Sequence, residues 1–159
     1  MAEDLLRLTR DRDALLFIND RIDLALALEA DGVHLRSDSV PVSVARRQLG
    51  PRRFIGVSTH SAEEVVRAEE EGADFVVLGP VYDTASKRAF GPPIGLAPLE
   101  EASRRCTIPV FAIGGITAES IRKVLDAGAF GVAVISSILS ADNVESATRR
   151  LLNELSACL

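Results

Sequence analysis

Short apolar runs alternate with longer amphipathic runs along almost the whole chain. The apolar runs are rich in Val, Ile, Leu and Phe, and most of them do not alternate with polar residues. This pattern is typical of parallel strands that are covered on both faces. It predicts six strands, at residues 14–18, 32–35, 54–57, 74–79, 108–113 and 131–135.

The amphipathic runs carry signals that begin and end helices. Ser61 and Glu64 match a capping box at the start of one run. A glycine follows the helical run in segments 29–33, 71–75 and 127–132, and we expect it to supply a left-handed turn into the next strand. The predicted helices are residues 2–10, 21–29, 41–49, 61–71, 95–105, 117–127 and 142–157.

Alternating strands and helices at this density predict a single α/β domain over residues 1–159, with a parallel sheet covered by helices. Two architectures fit this pattern, a closed eight-stranded (β/α) barrel and an open, doubly wound sheet. Only six βα units follow the first helix. Because an eight-stranded barrel usually needs at least about 200 residues, the count alone favours the open sheet.

Composition narrows the class of partner. The net charge of −5 argues against nucleic acid, because a protein that binds a phosphate backbone usually carries a basic surplus. Small anionic substrates remain compatible with this charge. The acidic N-terminus does not have the pattern of a signal peptide, and no apolar run approaches the length of a membrane span. We therefore expect a cytoplasmic protein with no membrane partner.

Polar residues follow the first three predicted strands, at the sheet edge where α/β proteins gather their active sites. Asn19 and Asp20 fit a Mg²⁺ ion with a phosphate oxygen, although Asp20 equally fits a cap for the next helix. Asp38 is either a second metal ligand or a polar loop residue. Ser58 and His60 face a substrate in this interpretation, and His60 is the best candidate for proton transfer near neutral pH.

Donors for a phosphate follow the last three predicted strands. A long loop at residues 80–94 contains Thr84, Ser86 and Lys87, which offer two hydroxyls and an ammonium to a phosphate. The alternative interpretation of this loop is a solvated turn. The pair Gly114-Gly115 lets the backbone approach an anion closely, and the pair Ile135-Ser136 begins a turn that offers further backbone N–H groups. Because barrels often form one phosphate site after their last two strands, these pairs favour a TIM-type barrel that lacks its first two strands.

Seven sequence segments occur in the order typical of a known family. They begin near residue 15 and together extend over almost all the rest of the chain. They are residues 16–25, 32–35, 56–60, 79–82, 84–87, 113–117 and 131–136, reading LFINDRIDLA, GVHL, GVSTH, GPVY, TASK, IGGIT and GVAVIS. This collinear set resembles the thiamin phosphate synthase family.

The resemblance implies a barrel enzyme that joins hydroxymethylpyrimidine pyrophosphate to thiazole phosphate, with Mg²⁺ as cofactor, and releases pyrophosphate. It implies that Asn19, Ser58 and Lys87 contact the pyrophosphate side and that Asp20 binds Mg²⁺. The remaining positions would cradle the thiazole phosphate: Thr84, Ser86, Gly114, Gly115, Ile135 and Ser136.

Two departures from the family keep alternatives open. The first two strands of the family are absent from this sequence. A Gln/Arg/Lys cluster that binds pyrophosphate in the family is absent with them. Self-association of the chain would cover the part of the sheet that these strands would otherwise cover. Ser39 stands where the synthases usually carry a second Mg²⁺-binding Asp, and Asp38 lies one position away. The first alternative to a synthase is a thiazole tautomerase with His60 as its acid and base. The second is an inactive fragment that only binds thiazole phosphate.

Overall fold

The structure is a computed structural model that describes residues 1–85, 87–88 and 91–158. Its described strands form one parallel sheet in which each strand pairs with the next one along the chain. The strands are β1 (Phe17–Asn19), β2 (Gly32–Leu35), β3 (Phe54–Thr59), β4 (Phe75–Leu78), β5 (Val110–Ile113) and β6 (Gly131–Ala133).

A helix follows each strand, and one helix precedes the sheet. The helices are α1 (Ala2–Arg10), α2 (Ile22–Ala27), α3 (Val42–Leu49), α4 (Ala62–Glu70), α5 (Ala97–Arg105), α6 (Ile121–Asp126), α7 (Ser136–Leu139) and α8 (Val144–Ser156), with a 3₁₀ turn at Ala118–Ser120 before α6.

The strand order distinguishes the two architectures. A doubly wound sheet reverses its strand order at a switch point, whereas the order here runs from β1 to β6 without reversal. Right-handed crossovers in one direction place all the helices on the same face of the sheet. The chain is therefore a curled portion of a (β/α) barrel with six strands. The open doubly wound alternative, which the count of strands favoured, is wrong.

Burial along the strands shows which face the helices cover. Residues at alternate strand positions, such as Val33, Ile55, Val76 and Ala112, are fully buried among the apolar side chains of the helices. Their strand neighbours point to the concave face, where Phe54 remains 44% exposed. The main core therefore lies between sheet and helices, and the concave face is only partly covered.

Aromatic rings fill the lower part of the concave face. The rings of Phe17, Phe75, Phe111 and Phe130 follow one another in edge-on contacts, with centroids 5.0–5.7 Å apart. Gly56 makes room for this row, because a Cβ there would lie 2.2 Å from the Phe75 ring. The polar ends of the strands lie above the rings.

Two aspartates join neighbouring strands at their amino-terminal ends, opposite to the ends that carry the polar residues. The Asp31 carboxylate accepts a hydrogen bond from the Leu16 amide at 2.7 Å, and the Asp74 carboxylate accepts one from the Ile55 amide at 2.6 Å. Arg46 on α3 adds an ion pair with Asp74 at 2.5 Å. Each aspartate thus satisfies a backbone amide at the start of a strand, that of Ile55 in β3 and that of Leu16 directly before β1.

The predicted glycine turns are correct at two of three places. Gly72 and Gly128 have φ of 96° and 92° directly after their helices. In the first repeat the prediction is wrong, because Glu29 itself takes the positive φ of 54°. Gly32 is instead a strand residue, and a Cβ there would lie 2.1 Å from the Phe54 carbonyl oxygen.

The predicted elements are confirmed apart from their ends and one short helix. Residues 108 and 109 lie outside β5, since Pro109 has no amide proton for a ladder. The predicted start of β1 is three residues too early, and α7 was not predicted. No helix in the described ranges is long and apolar enough to span a membrane.

Candidate active site

The strand ends bring the predicted polar residues of the first three strands to one edge of the sheet. Asn19 ends β1 and lies in register with His34 on β2, which in turn is in register with Gly56 on β3. Ser58 lies two residues further along β3, on the same face as Gly56. Asn19 is exposed, whereas His34 and Ser58 are partly buried.

His34 and Ser58 form a hydrogen-bonded pair on the concave face, with 2.9 Å between Nε2 and Oγ. Burial lowers the pKa of His34 from its ordinary value of 6.5, and the negative charge of Asp20 opposes this shift only partly. The imidazole is therefore neutral at neutral pH. Ser58, a predicted pyrophosphate contact, thus has an imidazole beside it.

Asp20 has a left-handed backbone, with φ of 57°, and its carboxylate turns away from the helix that it was considered to cap. Its Oδ1 accepts hydrogen bonds from the Arg36 amide at 3.0 Å and from the Ser39 hydroxyl. Its Oδ2 accepts one from Arg36 Nε at 2.5 Å. The helix-cap interpretation is therefore not what the structure shows.

The ionisation of Asp20 follows from these partners. Partial burial acts to raise the pKa of the Asp20 carboxyl, but hydrogen bonds from Ser39 and Arg36 outweigh it, and the net pKa is lowered. Asp20 is therefore a carboxylate at neutral pH, and both of its oxygens are engaged by groups of this chain.

Asp38 lies beside Arg36, at 3.4 Å from Nε, and its side chain is 72% exposed. A guanidinium thus contacts both of the carboxylates that the sequence assigned to Mg²⁺. The described residues contain no group of three or more His, Cys, Asp or Glu that could hold a metal ion. The Mg²⁺ site at Asp20 and Asp38 stays a prediction, and this donor set does not favour it.

His60 follows β3 and is exposed at the same edge of the sheet. Its Nδ1 lies 2.6 Å from the Gly79 carbonyl oxygen, which can only accept, so Nδ1 carries the proton. In the neutral imidazole, Nε2 is then the basic atom. The adjacent capping box is only half formed: the Glu64 amide donates to Ser61 Oγ at 3.2 Å, but the Glu64 side chain accepts from the His60 amide at 2.7 Å rather than from the Ser61 amide.

The loop after β4 is fastened to the end of β5 before it reaches its polar residues. The Val81 amide donates to the Ile113 carbonyl at 2.8 Å, and the Tyr82 amide donates to the Gly114 carbonyl at 3.0 Å. Thr84 follows directly and accepts a hydrogen bond from the Lys87 amide through its carbonyl at 2.9 Å. Ser86 lies outside the described residues.

The two glycines after β5 pack closely against this loop. A Cβ on Gly114 would lie 2.5 Å from Pro80, and a Cβ on Gly115 would lie 2.5 Å from the Asp83 carbonyl oxygen. Both glycines have positive φ, of 98° and 63°. Contact and conformation together therefore require glycine at both positions.

The segment after β6 reaches the same region. Ile135 and Ser136 are exposed at the start of α7, and the Ser137 hydroxyl donates to the Ile116 carbonyl at 2.5 Å. This bond joins the turn after β6 to the turn after β5. The structure thus places the predicted phosphate residues of the last two strands, and the loop that carries Thr84, at one end of the sheet.

Sequence reasoning missed two residues of this site. His34 is not among the predicted site residues, but it pairs with Ser58, and the alternation of β2 would have placed it on the concave face with Asn19. Arg36 was not considered at all, although it is the partner of Asp20. No signal in the sequence gives that contact, because residues 20 and 36 belong to different loops.

The fold and the site define an α/β protein of the TIM-barrel type, with its polar residues collected at the carboxyl ends of the strands. The family model described as thiamine monophosphate synthase matches residues 1–138. The chain belongs to this family.

Similar proteins agree with this assignment. A thiamine-phosphate synthase from Chlorobium phaeovibrioides is 46% identical over 97% of this chain and 74% of its own length. One from Roseiflexus sp. (strain RS-1) is 48% identical over 95% of this chain, which spans only 64% of that relative. The chain thus spans less than two thirds of the length of that relative.

Solved structures show the same fold. A thiamine phosphate pyrophosphorylase from Pyrococcus furiosus superposes with a TM-score of 0.91 at 40% identity, over 99% of this chain and 75% of that one. A 3-hexulose-6-phosphate synthase superposes with a TM-score of 0.73 at 19% identity, over 97% and 80% of the two chains. The second likeness concerns the fold alone.

Proposed function

We propose that this chain carries the thiamine phosphate synthase function of its family, a transferase activity that joins hydroxymethylpyrimidine pyrophosphate to thiazole phosphate. The observation that carries the proposal is the family match over residues 1–138. The small phosphorylated substrates suit an acidic protein, because they need only a local cluster of donors.

The thiazole phosphate is assigned to the end of the sheet where the turns after β5 and β6 meet the loop after β4. Gly114 and Gly115 allow backbone amides to approach a phosphate oxygen, and Thr84, Ser86, Ile135 and Ser136 complete the proposed cradle. The close packing of Gly115 on Asp83 supports this assignment, since it fixes the distance between two of the loops.

The pyrophosphate is assigned to the ends of β1 and β3 and to Lys87. Asn19 and Ser58 offer an amide and a hydroxyl there, and Lys87 supplies an ammonium near the leaving group. The bond between the pyrimidine methylene and the pyrophosphate oxygen breaks, and the thiazole nitrogen attacks the methylene. Most of the work of such a site is to stabilise charge on the departing pyrophosphate.

The direct test is product formation by the purified chain from the two substrates, with and without Mg²⁺. Thiamin phosphate as product supports the proposal. Folded protein that forms no product, at substrate concentrations at which both substrates bind, would overturn it for this polypeptide. The variant Lys87→Ala should lower the rate while Arg149→Ala, on the exposed face of α8, should not.

A thiazole tautomerase is the second candidate, and Ser39 is the observation that favours it. The Ser39 hydroxyl donates to Asp20, in a place where a synthase would be expected to offer a second carboxylate. In this alternative His60 Nε2 removes and returns the proton, because Nδ1 is held by the Gly79 carbonyl. A tautomerase assay on the same sample separates the two candidates.

We further propose that the chain self-associates through its open sheet. In the described residues, β1 and β6 each pair on one side only, and Phe54 and Phe130 remain 44% and 65% exposed. Unpaired strand edges and exposed aromatic side chains are stabilised by a second surface that covers them.

A further inference from the structure

The Asp20 carboxylate is held by a cation that the chain itself provides. Arg36 Nε lies 2.5 Å from Oδ2, and the Arg36 amide and the Ser39 hydroxyl both donate to Oδ1. Mg²⁺ binds oxygen lone pairs at about 2.1 Å and demands near-octahedral geometry. It would therefore have to displace both side chains from Asp20 and would be repelled by the guanidinium beside it.

Arg36 also lines an open cleft near the carboxyl ends of β2 and β3. This open cleft of about 290 Å³ lies beside α3 and α4, and its polar lining includes Ser39, Ser58, Glu64, Arg67 and Glu71. Nε is the closest atom of Arg36 in both of its ion pairs, and no hydrogen bond within the described part of the chain uses its Nη atoms. The side chain of Arg36 is 60% exposed, so its Nη donors remain open to an anion from solvent.

We propose that Arg36 takes the place of a divalent cation at Asp20, so that the site binds a phosphate or pyrophosphate group without Mg²⁺. Nε neutralises Asp20 while the Nη donors bind the anion, an arrangement that suits a planar guanidinium better than an ammonium. The inference rests on the proposed function for the identity of the anion, but not for the metal-free geometry.

The first experiment measures binding of inorganic pyrophosphate by calorimetry, once in EDTA and once in excess Mg²⁺. We expect the affinity in EDTA to equal or exceed that in Mg²⁺. Arg36→Gln should weaken binding on the order of tenfold, the loss expected for a charge-assisted hydrogen bond. Arg36→Lys should recover part of it, and the matched control Arg149→Gln should have no effect.

The second experiment tests the metal directly, with Mn²⁺ as a paramagnetic probe. The unaltered chain should show no saturable site that depends on Asp20. The double variant Arg36→Gly/Ser39→Asp removes the guanidinium and puts a second carboxylate beside Asp20, so it should gain a Mn²⁺ site and require Mg²⁺ to bind pyrophosphate. Arg36 is 60% exposed, so Arg36→Gln should fold and can be tested in the same way if the double variant does not.

Two results overturn the proposal. One is a single Mn²⁺ site in the unaltered chain that Asp20→Asn removes. The other is a lack of pyrophosphate binding in EDTA. Binding of thiazole phosphate, at the far end of the sheet, tells whether the proposed function fails with it: if that binding persists, only the metal-free inference is lost.

Discussion

The Nε2 atom of His34 lies 2.9 Å from the Oγ atom of Ser58, and the two residues belong to neighbouring strands. Because burial lowers the pKa of His34, this imidazole is neutral at neutral pH in the structure without substrate. The pair can donate or accept at Ser58 without adding a positive charge. Arg36 and Lys87 are the cations proposed above to meet an anion on this side of the site.

The lowered pKa of His34 predicts a pH dependence of stability. The unfolded chain takes up a proton on this histidine near 6.5, the ordinary value, and the folded chain does so only at lower pH. The neutral histidine therefore contributes its full stability above pH 6.5. This contribution is lost as the pH falls from 6.5 through the lowered pKa of His34 in the folded chain. Urea unfolding over this range should show the loss.

The variant His34→Gln is the control for that measurement. Its amide nitrogen can still bond Ser58 but does not titrate, so the free energy of unfolding should lose this part of its slope. Carboxylates contribute equally to both proteins, and the difference between the two curves isolates the histidine. An identical slope in both proteins would show that His34 titrates normally.

The role of His60 is tested by His60→Ala. If the chain is a synthase, product formation should change little, because no proton transfer at Nε2 is required. If it is a tautomerase, the rate should fall by roughly 10²- to 10⁴-fold, the usual effect of removing a general base. Measuring both activities of the variant decides between them, and a large loss of synthase activity would contradict the role assigned here.

Gly115→Ala should weaken binding of thiazole phosphate, since the new methyl group would lie 2.5 Å from the Asp83 carbonyl oxygen and push the loop away. The matched control is Gly72→Ala, which also has a positive φ but nothing within 4 Å of the added group. Each variant should lose about 1 kcal/mol of stability from its backbone conformation. Calorimetry should show weaker binding only for Gly115→Ala; equal affinities would remove Gly115 from the cradle.

Arg46→Ala should be one of the costlier substitutions outside the site. Its guanidinium binds Asp74 at 2.5 Å and also donates to the carbonyls of Arg53 at 2.7 Å and Gly72 at 3.0 Å. Loss of these bonds should lower the free energy of unfolding by about 2–3 kcal/mol. Arg47→Ala, its exposed neighbour, should change it by less than about 0.5 kcal/mol. Similar losses in both would show that Asp74 needs no partner.

Self-association should appear as a mass that rises with protein concentration in sedimentation or light scattering. Phe130→Ser should shift this equilibrium toward the monomer, because the ring is 65% exposed at the edge strand β6. Leu152→Ser, at 55% exposure on α8, is the control for a change of surface hydrophobicity away from the strand edges. A monomer at every concentration would rule the proposal out.

The fold was largely predictable because each of its units repeats a local pattern. An apolar run marked every described strand, although the predicted ends differ from the observed ones, as at Pro109. The four-residue helix α7 escaped prediction, since so few residues hold too little periodicity to differ from a turn.

The positions of the candidate site residues were predictable, and their contacts were not. Asn19, Ser58 and Gly115 were predicted because strand ends are where α/β proteins place their sites, and their role in binding stays a prediction. The pairing of His34 with Ser58 and of Arg36 with Asp20 depends on register and on the path of a loop. Neither is encoded in a local pattern, and Arg36 changes the chemistry that Asp20 can perform.

The hydrogen bonds accepted by Asp31 and Asp74 imply an order in which the strands of the sheet assemble. In both cases the carboxylate lies later in the chain than the amide that it binds, so Asp31 reaches back to Leu16 and Asp74 reaches back to Ile55. In a nascent chain, the amides of Leu16 and Ile55 would thus lack these acceptors until Asp31 and Asp74 have been synthesised. Synthesis from the N-terminus would then complete the sheet one βα unit at a time.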